Sequence, residues 1–401
     1  MPGLTQASKE ILVSIVIPTK NEELTIEEFI SWVQIGLKSS KVEGEIILLD
    51  NSDDQTPLIA LRMGARVHKP SNLGLGNAYK EATRLIRGRY VILGDADCTY
   101  DFRDISGFLV ALKSSDFVMG NRFSGYIEPG SMPLHHRYLG TPLTSWILKR
   151  IHRLNISDVH CGMRAMSASL YRKLPFDEPG WEYAPEMVIR ACQLASTYRE
   201  IPIRFLKAPR GRLSHFKRGP KSWFEPFRAG IGAIRVSLTL GLDRVTETIG
   251  RFLLVISSIP IVLISTGPIV LFDFKFSTVT QVTFAMFGLT GNLMSSIGTH
   301  LRECYEIEGG KLKLHEFRLS LNHRFQRLFL ILALMGFMAI FVSCLLLWWV
   351  SSQNRLFTDF MTNLGGFIIL LIYLLSLTIQ RILINLMSKY LTQTHFVTSS
   401  L

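Results

Sequence analysis

The chain has 401 residues, of which 48% are hydrophobic and 19% are charged, and its formal net charge at pH 7 is +12. The mean hydropathy is +0.25. This composition excludes a disordered or fibrous protein, and it fits poorly with a wholly soluble one because long apolar stretches concentrate after residue 250. We therefore predict a protein that is half soluble and half embedded in a membrane.

The excess of basic residues and the spacing of the cysteines limit the partners and the kinds of site that this protein can have. Basic residues cluster beside apolar segments, which indicates anionic lipid head groups as partners and argues against nucleic acid. The five cysteines include no pair with CxxC or zinc-finger spacing, so neither a disulfide framework nor a zinc site is predicted. Residues 1–10 are polar and the next apolar run has only strand length, so we expect no secretory signal and a cytosolic N-terminal half.

Short β-rich runs alternate with helical patterns from residue 11 to about residue 125. The strand-like runs are 12–17, 45–49 and 90–93, and the helical patterns are 23–36 and 76–86. This alternation predicts an α/β fold on a parallel sheet, whereas the pattern after residue 93 loosens and predicts a loop-rich region. Ligands of such sheets bind outside the carboxyl ends of the strands, so the residues after each run are the candidate site.

The third strand-like run is followed directly by Gly94-Asp95-Ala96-Asp97. Two carboxylates at the exit of a strand can hold one divalent cation, and the open positions of that cation can take a diphosphate. A polar turn is the alternative interpretation. The metal interpretation is favoured by a second acidic cluster, residues 50–54, which follows the preceding strand in the same way and could accept hydrogen bonds from a base or ribose.

Two further strand or turn segments carry polar groups. The first strand ends in Pro18-Thr19-Lys20-Asn21-Glu22, and a glycine-containing turn at residues 72–77 opens a helix. Amide groups at the start of that helix could face an anion. The sequence contains neither GxGxxG nor GxxxxGK[ST], which excludes a Rossmann dinucleotide site and a P-loop.

Four long apolar stretches predict transmembrane helices at 252–272, 277–297, 328–350 and 364–384. The loop between the second and third stretches is rich in Arg and Lys, so the positive-inside rule places it in the cytoplasm. Buried core helices of a soluble protein are the alternative. The stretches lack the charged residues expected along a transport path, so we interpret them as an anchor and an oligomerisation surface.

The predicted domains are a cytosolic domain at 1–210, an amphipathic juxtamembrane segment at 211–250 and a membrane domain at 251–401. Arg and Lys with interleaved aromatic residues between 204 and 235 support the amphipathic interpretation of the middle segment.

The runs IVIPTKNEE, LLDNSDDQT, SNLGLGNA and GDADCTYDF, in this order and spacing, resemble the nucleotide-diphospho-sugar half of glycosyltransferase family 2, whose fold is called GT-A. The runs DVHCGMR at 158–164 and WEYAPEM at 181–187 resemble its polyprenyl-phosphate branch, which acts on dolichyl or undecaprenyl phosphate, and so does the membrane tail. The resemblance covers roughly residues 11–250. It implies inverting transfer of one sugar from a nucleotide diphosphate sugar to a polyprenyl phosphate, with Mg²⁺ or Mn²⁺, at the cytoplasmic face of a bacterial inner membrane or the endoplasmic reticulum.

The resemblance also implies roles for individual residues. Asp95 and Asp97 would bind the metal with the donor diphosphate, and Asp50 and Asp53 would contact the nucleoside. The remaining residues expected at the nucleotide-sugar site are Pro18, Thr19, Asn21, Glu22, Asn51, Ser52, Asn72, Gly74, Ala96 and Arg122, the last of which would reach a donor phosphate.

The predicted catalytic residues are Asp97, Asp158 and Glu182, the last two near the sugar. A lipid phosphate has a second pKa of about 6 and is largely dianionic at neutral pH, so Asp158 would orient or accept rather than abstract a proton. Its alternative roles are a helix cap or an ion pair with Arg164. Glu182 could equally cap a helix that begins near Pro185.

A dense cationic set is expected to bind the acceptor phosphate, because Arg and Lys suit that anion. It comprises Arg210, Arg212, Ser214, Lys217, Arg218 and Lys221. Relatives usually carry a compact RxxGxSK-like run, whereas this chain reads PRGRLSHFKRGPKSW, so non-specific contact with anionic lipid is the alternative. Residues 125–153 are interpreted as a polar acceptor loop over the site.

The sequence leaves more than one possibility for the sugar donor and for the reaction class. The CGMR run resembles glucosyl more than mannosyl members, which favours UDP-glucose, although GDP-mannose suits the same acidic cluster. Cellulose and hyaluronan synthases share a QxxRW motif that this sequence lacks. The alternatives that stay open are a membrane glycosyltransferase with another lipid or a polysaccharide acceptor, and a non-catalytic membrane module that binds sugar nucleotides.

Overall fold

The computed structural model describes residues 11–209, 211, 225–265, 269–271, 274–276, 278–307 and 368–378. Contacts divide the chain into two compact units, Met1–Leu240 and Gly241–Leu401. The predicted juxtamembrane segment, 211–250, therefore includes the point at which the two units divide.

The first unit is built on a seven-stranded mixed sheet with the order β3-β2-β1-β4-β6-β5-β7. Its strands are β1 (Val13–Thr19), β2 (Gly44–Asp50), β3 (Arg66–His68), β4 (Tyr90–Leu93), β5 (Phe117–Ile127), β6 (Arg164–Ser167) and β7 (Tyr198–Phe205). Strand β1 pairs in parallel with β2 and β4, whereas β6 runs antiparallel to β4 and β5. The carboxyl ends of β1, β2 and β4 therefore meet at one edge of the sheet.

Helices of the first unit connect these strands. They are α1 (Ile26–Ser39), α2 (Thr56–Arg62), α3 (Leu75–Ala82), α4 (Ser106–Leu112), α5 (Thr141–His152), α6 (Ala168–Lys173), α7 (Tyr183–Leu194) and α8 (Glu225–Leu240). Helix α1 buries Phe29, Ile30 and Val33 at helical spacing. Phe29 meets Phe102 edge-on, with ring centroids 5.0 Å apart. This contact packs α1 against the segment that follows β4.

The strands of the parallel half are almost continuously buried, as the patterns of β1 and β2 show. Strands that are covered on both faces have this unbroken apolar sequence. The structure confirms the three predicted strands, which are β1, β2 and β4. The loop-rich prediction after residue 93 is wrong, because this region contains β5 to β7 and α4 to α7. Strand β5 is buried only up to Arg122 and then exposes four successive residues, so its hydropathy does not have a strand-like pattern.

The second unit contains α9 (Leu242–Ser265), a hairpin of β8 (Ile269–Leu271) and β9 (Phe274–Phe276), α10 (Thr278–Ile307) and α11 (Ile368–Thr378). Helices α9 and α10 approach closely at glycines. A Cβ on Gly250 would lie 2.3 Å from the Ser295 nitrogen, and one on Gly291 would lie 2.6 Å from the Gly250 oxygen. Small residues permit this approach, as is common in membrane helix pairs.

Of the helices in the described residues, α9 alone is long and apolar enough to cross a membrane by length and composition. The predicted first span was 252–272, but α9 ends at Ser265 and Ile269–Leu271 is a strand. The Gly267-Pro268 pair in the sequence disfavours a continuing helix. Helix α10 covers the second predicted span and does not qualify; it carries buried Gln281 and Asn292.

The third predicted span, 328–350, lies outside the described residues, and only Ile368–Thr378 of the fourth is described. The described residues therefore support one candidate membrane helix and do not support the predicted four-helix transmembrane region.

Candidate functional site

Hydrogen bonds to Asp50 connect the loops that follow β1 and β2. Its Oδ1 accepts hydrogen bonds from Thr19 Oγ1 and Ser52 Oγ, both at 2.7 Å. The Ser52 hydroxyl oxygen accepts from the Asn21 N–H at 2.7 Å, and Asn21 Oδ1 accepts from the Asp53 N–H at 2.9 Å. Asp50 is thus buried and holds the two loops at the carboxyl edge of the sheet by hydrogen bonds. Asp53 is exposed, so a ligand could reach its carboxylate.

Left-handed backbone at Asn21, with φ of +55°, lets the β1 loop turn toward the β2 loop. Asn is among the residues that tolerate this conformation. The other predicted donor-site residues of these loops, Pro18, Glu22 and Asn51, lie in the same two segments, and the Asn51 N–H donates to the Thr19 oxygen at 3.0 Å. The residues predicted to surround the nucleoside are therefore brought together, and their contacts to a donor stay predictions.

The acidic pair follows β4 at the same edge of the sheet. Asp95 is exposed, Ala96 is buried and Asp97 is half-buried. Asp97 Oδ1 accepts from the Thr99 N–H at 3.0 Å and from Thr99 Oγ1 at 2.5 Å. This turn fixes the orientation of the Asp97 carboxylate beside Asp95.

Asp95 and Asp97 suit a cation whose remaining coordination positions are filled by a substrate. In the part of the chain that the structure describes, no group of three or more His, Cys, Asp or Glu could hold a metal ion. Mg²⁺ typically uses one or two carboxylates together with phosphate oxygens and water. Asp95 and Asp97 therefore fit a metal that binds jointly with a donor diphosphate.

The 158–164 run lies beside the acidic pair. A Cβ on Gly162 would lie 2.6 Å from Asp95 Oδ2 and 2.9 Å from Tyr100 Cε2, and the Gly162 N–H donates to the Tyr100 hydroxyl oxygen at 2.8 Å. Strand β6 causes this proximity, because it runs antiparallel to β4 with Arg164 opposite Leu93. Only glycine leaves the Asp95 carboxylate in this position.

Asp158 forms a buried ion pair with Arg122. The Arg122 Nε and Nη2 atoms donate to the two carboxylate oxygens at 2.8 and 2.7 Å, and the Arg122 backbone N–H donates to Oδ2 at 3.1 Å. Burial alone would lower the pKa of the Arg122 guanidinium, but Tyr100 and Asp158 raise it above its ordinary value. The partner of Asp158 is thus Arg122 rather than Arg164, and the pair uses the Nε and Nη2 atoms of Arg122. The predicted contact of Arg122 with a donor phosphate stays a prediction.

Glu182 occupies the N-cap position of α7, but its side chain makes no capping hydrogen bond. The side chain lies against α8, where a Cβ on Gly232 would be 2.9 Å from Glu182 Cγ. The capping alternative is therefore not what the structure shows, and a role near the sugar stays a prediction.

Three buried residues near the acidic pair were not predicted. Tyr183 stacks on Tyr79, with centroids 4.7 Å apart, and the Arg164 guanidinium lies 5.9 Å from the Tyr183 ring centroid. Arg164 Nη1 donates to the Ala184 oxygen at 3.0 Å, while its buried Nε has no hydrogen-bond partner. Arg164 belongs to the DVHCGMR run, so the resemblance carries a signal for it, whereas its only predicted role is as an alternative ion-pair partner of Asp158.

At the start of α3, the Gly76 amide is not free for the anion contact that was predicted for this helix start. The Gly76 N–H donates to the Pro179 oxygen at 2.9 Å, so this amide is already used within the protein. Gly74 has a φ of +114°, and both it and Asn72 are exposed. These two residues are at the surface, whereas the Gly76 and Asn77 amides both donate to the Pro179 oxygen in the segment before α7.

The predicted acceptor-phosphate set lies outside the described residues. It consists of Arg210, Arg212, Ser214, Lys217, Arg218 and Lys221. Its role stays a prediction.

Residues 14–178 match the model of Glycosyl transferase family 2. This part of the chain is therefore a glycosyltransferase family 2 domain, and the family predicted from the motifs is confirmed. Together with the mixed sheet, the match also confirms the predicted GT-A-like α/β domain.

Two relatives from Haloferax volcanii match the same half of the chain. The low-salt glycan biosynthesis hexosyltransferase Agl6 is 38% identical over 213 residues, which are 53% of this chain and 51% of that protein. A dolichyl-phosphate hexose transferase is 27% identical over 194 residues, 48% of this chain and 82% of that protein. The match thus spans about half the length of the first relative.

Solved structures show weaker similarity. Mannosyl-3-phosphoglycerate synthase from Rubrobacter xylanophilus has a TM-score of 0.45 at 19% identity, with 57% of this chain and 73% of that chain covered. Glucosyl-3-phosphoglycerate synthase from Mycobacterium tuberculosis, solved with Mn²⁺ and UDP, has a TM-score of 0.43 at 22% identity, with 60% and 83% covered.

Proposed function

We propose that this protein transfers a single sugar, with inversion, from a nucleotide diphosphate sugar to a polyprenyl phosphate at the cytoplasmic face of a membrane. The observation that carries this proposal is the convergence of Asp53, Asp95 and Asp97 at one edge of a glycosyltransferase family 2 domain. The DVHCGMR run, placed against Asp95 through Gly162, adds a second motif to the same site. The hexosyltransferase relatives support the reaction class.

The donor would bind across the loops after β1, β2 and β4. Asp53 is exposed for contact with the nucleoside, and Asp95 and Asp97 would hold Mg²⁺ or Mn²⁺ together with the diphosphate. The cation, when bound, neutralises the charge that develops on the departing nucleoside diphosphate. UDP-glucose is the favoured donor.

Asp158 would act through Arg122 in this proposal. Both of its carboxylate oxygens accept hydrogen bonds from Arg122, so it orients a cation at the site rather than accepting a proton from the acceptor. A polyprenyl phosphate needs no strong base, because a phosphate monoester with a second pKa of about 6 is already a nucleophile at neutral pH. Glu182 would contact the sugar.

The proposal includes integral attachment to the membrane. Helix α9 has the length and apolar composition of a span, and the apolar stretches after it would complete the anchor. The acceptor lipid would then be presented to the domain at the membrane surface, where the basic set beginning at Arg210 would receive its phosphate.

The test is transfer from a panel of radiolabelled UDP- and GDP-sugars to added polyprenyl phosphate by the detergent-purified full chain with Mg²⁺ or Mn²⁺. We expect label from one donor in a lipid that mild acid hydrolyses, and loss of that label in Asp97→Asn. The matched control is Asp104→Asn, which removes another exposed carboxylate and should retain transfer.

Failure to label lipid with any donor, while nucleotide still binds, would overturn the proposal. That result would favour a membrane module that binds sugar nucleotides without catalysis. Label recovered in a polymer or in a lipid that resists mild acid would indicate a different acceptor.

A further inference from the structure

The outer side of α5 and of the turn before it carries large apolar side chains on the surface of the first unit. Each of these side chains is 49% to 71% exposed. We name the set the α5 surface; it consists of Leu134, Tyr138, Leu139, Leu143 and Trp146. Single exposed apolar residues are ordinary on a protein surface, whereas a contiguous patch marks an interaction site.

Helical spacing groups three of these residues on one face. Leu139, Leu143 and Trp146 follow at intervals of four and three residues, and the exposed Arg150 continues the same stripe. The opposite side of α5 is buried through Ser145, Leu148 and His152. The exposed stripe is therefore additional to the face with which α5 packs on its own domain.

The charged residues of the segment that carries the α5 surface have one sign. Residues 129–157 contain no Asp or Glu, but they include Arg137, Lys149, Arg150 and Arg153. The Arg137 and Arg150 guanidinium carbons lie 5.6 and 5.8 Å from the ring centroids of Tyr138 and Trp146. Aromatic rings combined with basic side chains and apolar residues are typical of segments that lie in the head-group region of an anionic membrane.

A second copy of the chain fits this surface less well. A symmetric dimer would place the patch against itself, and its cations would then face cations with no carboxylate from the same segment between them. Anionic phospholipid complements both the apolar residues and the charge.

Helix α5 packs on α8, the helix that precedes the candidate membrane helix along the chain. His152 of α5 meets α8, where its Nε2 lies 3.0 Å from Ser237 Oγ. Helix α8 ends at Leu240 and α9 begins at Leu242.

We propose that the α5 surface docks on the head-group region of an anionic bilayer, with its apolar side chains inserted and its basic side chains at the phosphates. The proposal rests on the membrane location in the proposed function and names the domain face that meets the lipid. It assigns to residues 134–150 a contact with bulk lipid, separate from any contact with the acceptor phosphate.

Tryptophan quenching in the full chain tests the contact directly. The protein is reconstituted into phosphatidylcholine vesicles with and without phosphatidylglycerol, and the acyl chains are brominated near the head group. The Trp146 signal is obtained as the difference between wild type and Trp146→Phe. We expect brominated lipid to quench most of this signal, and more strongly when phosphatidylglycerol is present.

Trp32→Phe is the matched control. Trp32 lies on α1 and, like Trp146, lies beside an arginine, with the Arg103 guanidinium carbon 4.4 Å from its ring centroid. Its difference signal should not respond to brominated lipid. Both substitutions keep an aromatic ring and leave the fold intact, which circular dichroism verifies.

Two results would overturn the proposal while the protein co-floats with the vesicles: a Trp146 signal that brominated lipid leaves unchanged, or equal quenching of Trp32. Failure of the protein to co-float would instead overturn the membrane attachment in the proposed function. A Trp146 signal that is shielded from aqueous iodide but not quenched by lipid would identify a protein partner instead. No sugar donor or acceptor lipid is present, so failure here is distinguishable from failure of the proposed transfer.

Discussion

Replacing Asp158 separates a structural role from a catalytic one. The side chain has no exposed surface and the Arg122 side chain is 9% exposed. The two make a bidentate pair, with Nε and Nη2 at 2.8 and 2.7 Å from the carboxylate oxygens. Asp158→Leu would leave the Arg122 cation buried without its counter-ion.

The expected loss of stability follows from that burial. Removing one partner of a buried ion pair costs about 3–5 kcal/mol, because the remaining charge is uncompensated. For a unit of this size, each kcal/mol lowers the unfolding midpoint by about 2–4 °C, so we expect a decrease of roughly 6–20 °C in Asp158→Leu. Asp158→Asn keeps the shape and one acceptor oxygen, so its decrease should be smaller.

The assay is thermal unfolding of the detergent-purified chain followed by intrinsic fluorescence, together with the double variant Arg122→Met/Asp158→Leu. Replacing both members of a buried pair with apolar residues is often close to neutral, so the double variant should recover most of the midpoint. Non-additivity of this kind is the signature of a direct pair.

One result would refute this reasoning about Asp158. If Asp158→Asn unfolds at the wild-type temperature but has lost sugar transfer, the carboxylate acts on the substrate rather than on Arg122. If the double variant is as unstable as Asp158→Leu, the pair is not the source of the loss.

Three further predictions concern other parts of the chain. Gly162→Ala should raise the KM for the donor, because its Cβ would displace Asp95 Oδ2 from 2.6 Å; an unchanged KM would contradict the placement. Burial and the neighbouring positive charge of Arg122 lower the pKa of His160 from 6.5 to about 4. The unfolded chain therefore binds the extra proton first, and stability should fall as pH drops from about 6.5 toward 4, by at most about 1.4 kcal/mol per pH unit; unfolding midpoints of His160→Gln should lack this slope. Gly291→Leu should lower the unfolding midpoint by forcing α9 and α10 apart, whereas Gly230→Leu, with no atom within 4 Å of its Cβ, should not; equal midpoints would refute the close packing.

Local sequence patterns were sufficient to predict the strands in the parallel half of the domain. The run at 90–93 is strand β4 with the same bounds, and the acidic pair follows it as expected. Strands buried on both faces have unbroken apolar runs, and such runs are readable without knowledge of their neighbours. The short α2 and β3 were not predicted, since seven and three residues are too few to establish a period.

The antiparallel half could not be predicted in the same way. Strand β5 leaves the core after Arg122 and exposes its next residues, so its amino-acid pattern resembles a loop. Which strand it joins depends on β6, which inserts between β4 and β5. Strand order is a property of the whole sheet and has no local sequence signal.

The sequence by itself determined the family, the acidic pair and the nucleoside-side loops, because each is a contiguous run at the end of a strand. Only the tertiary structure decided which partners those residues have. Asp158 pairs with Arg122, 36 residues away, rather than with the nearby Arg164, and Gly162 lies against Asp95 because β6 pairs with β4. Such ion pairs and close contacts have large effects on stability because they are buried. Which residues are buried together depends on how the strands assemble.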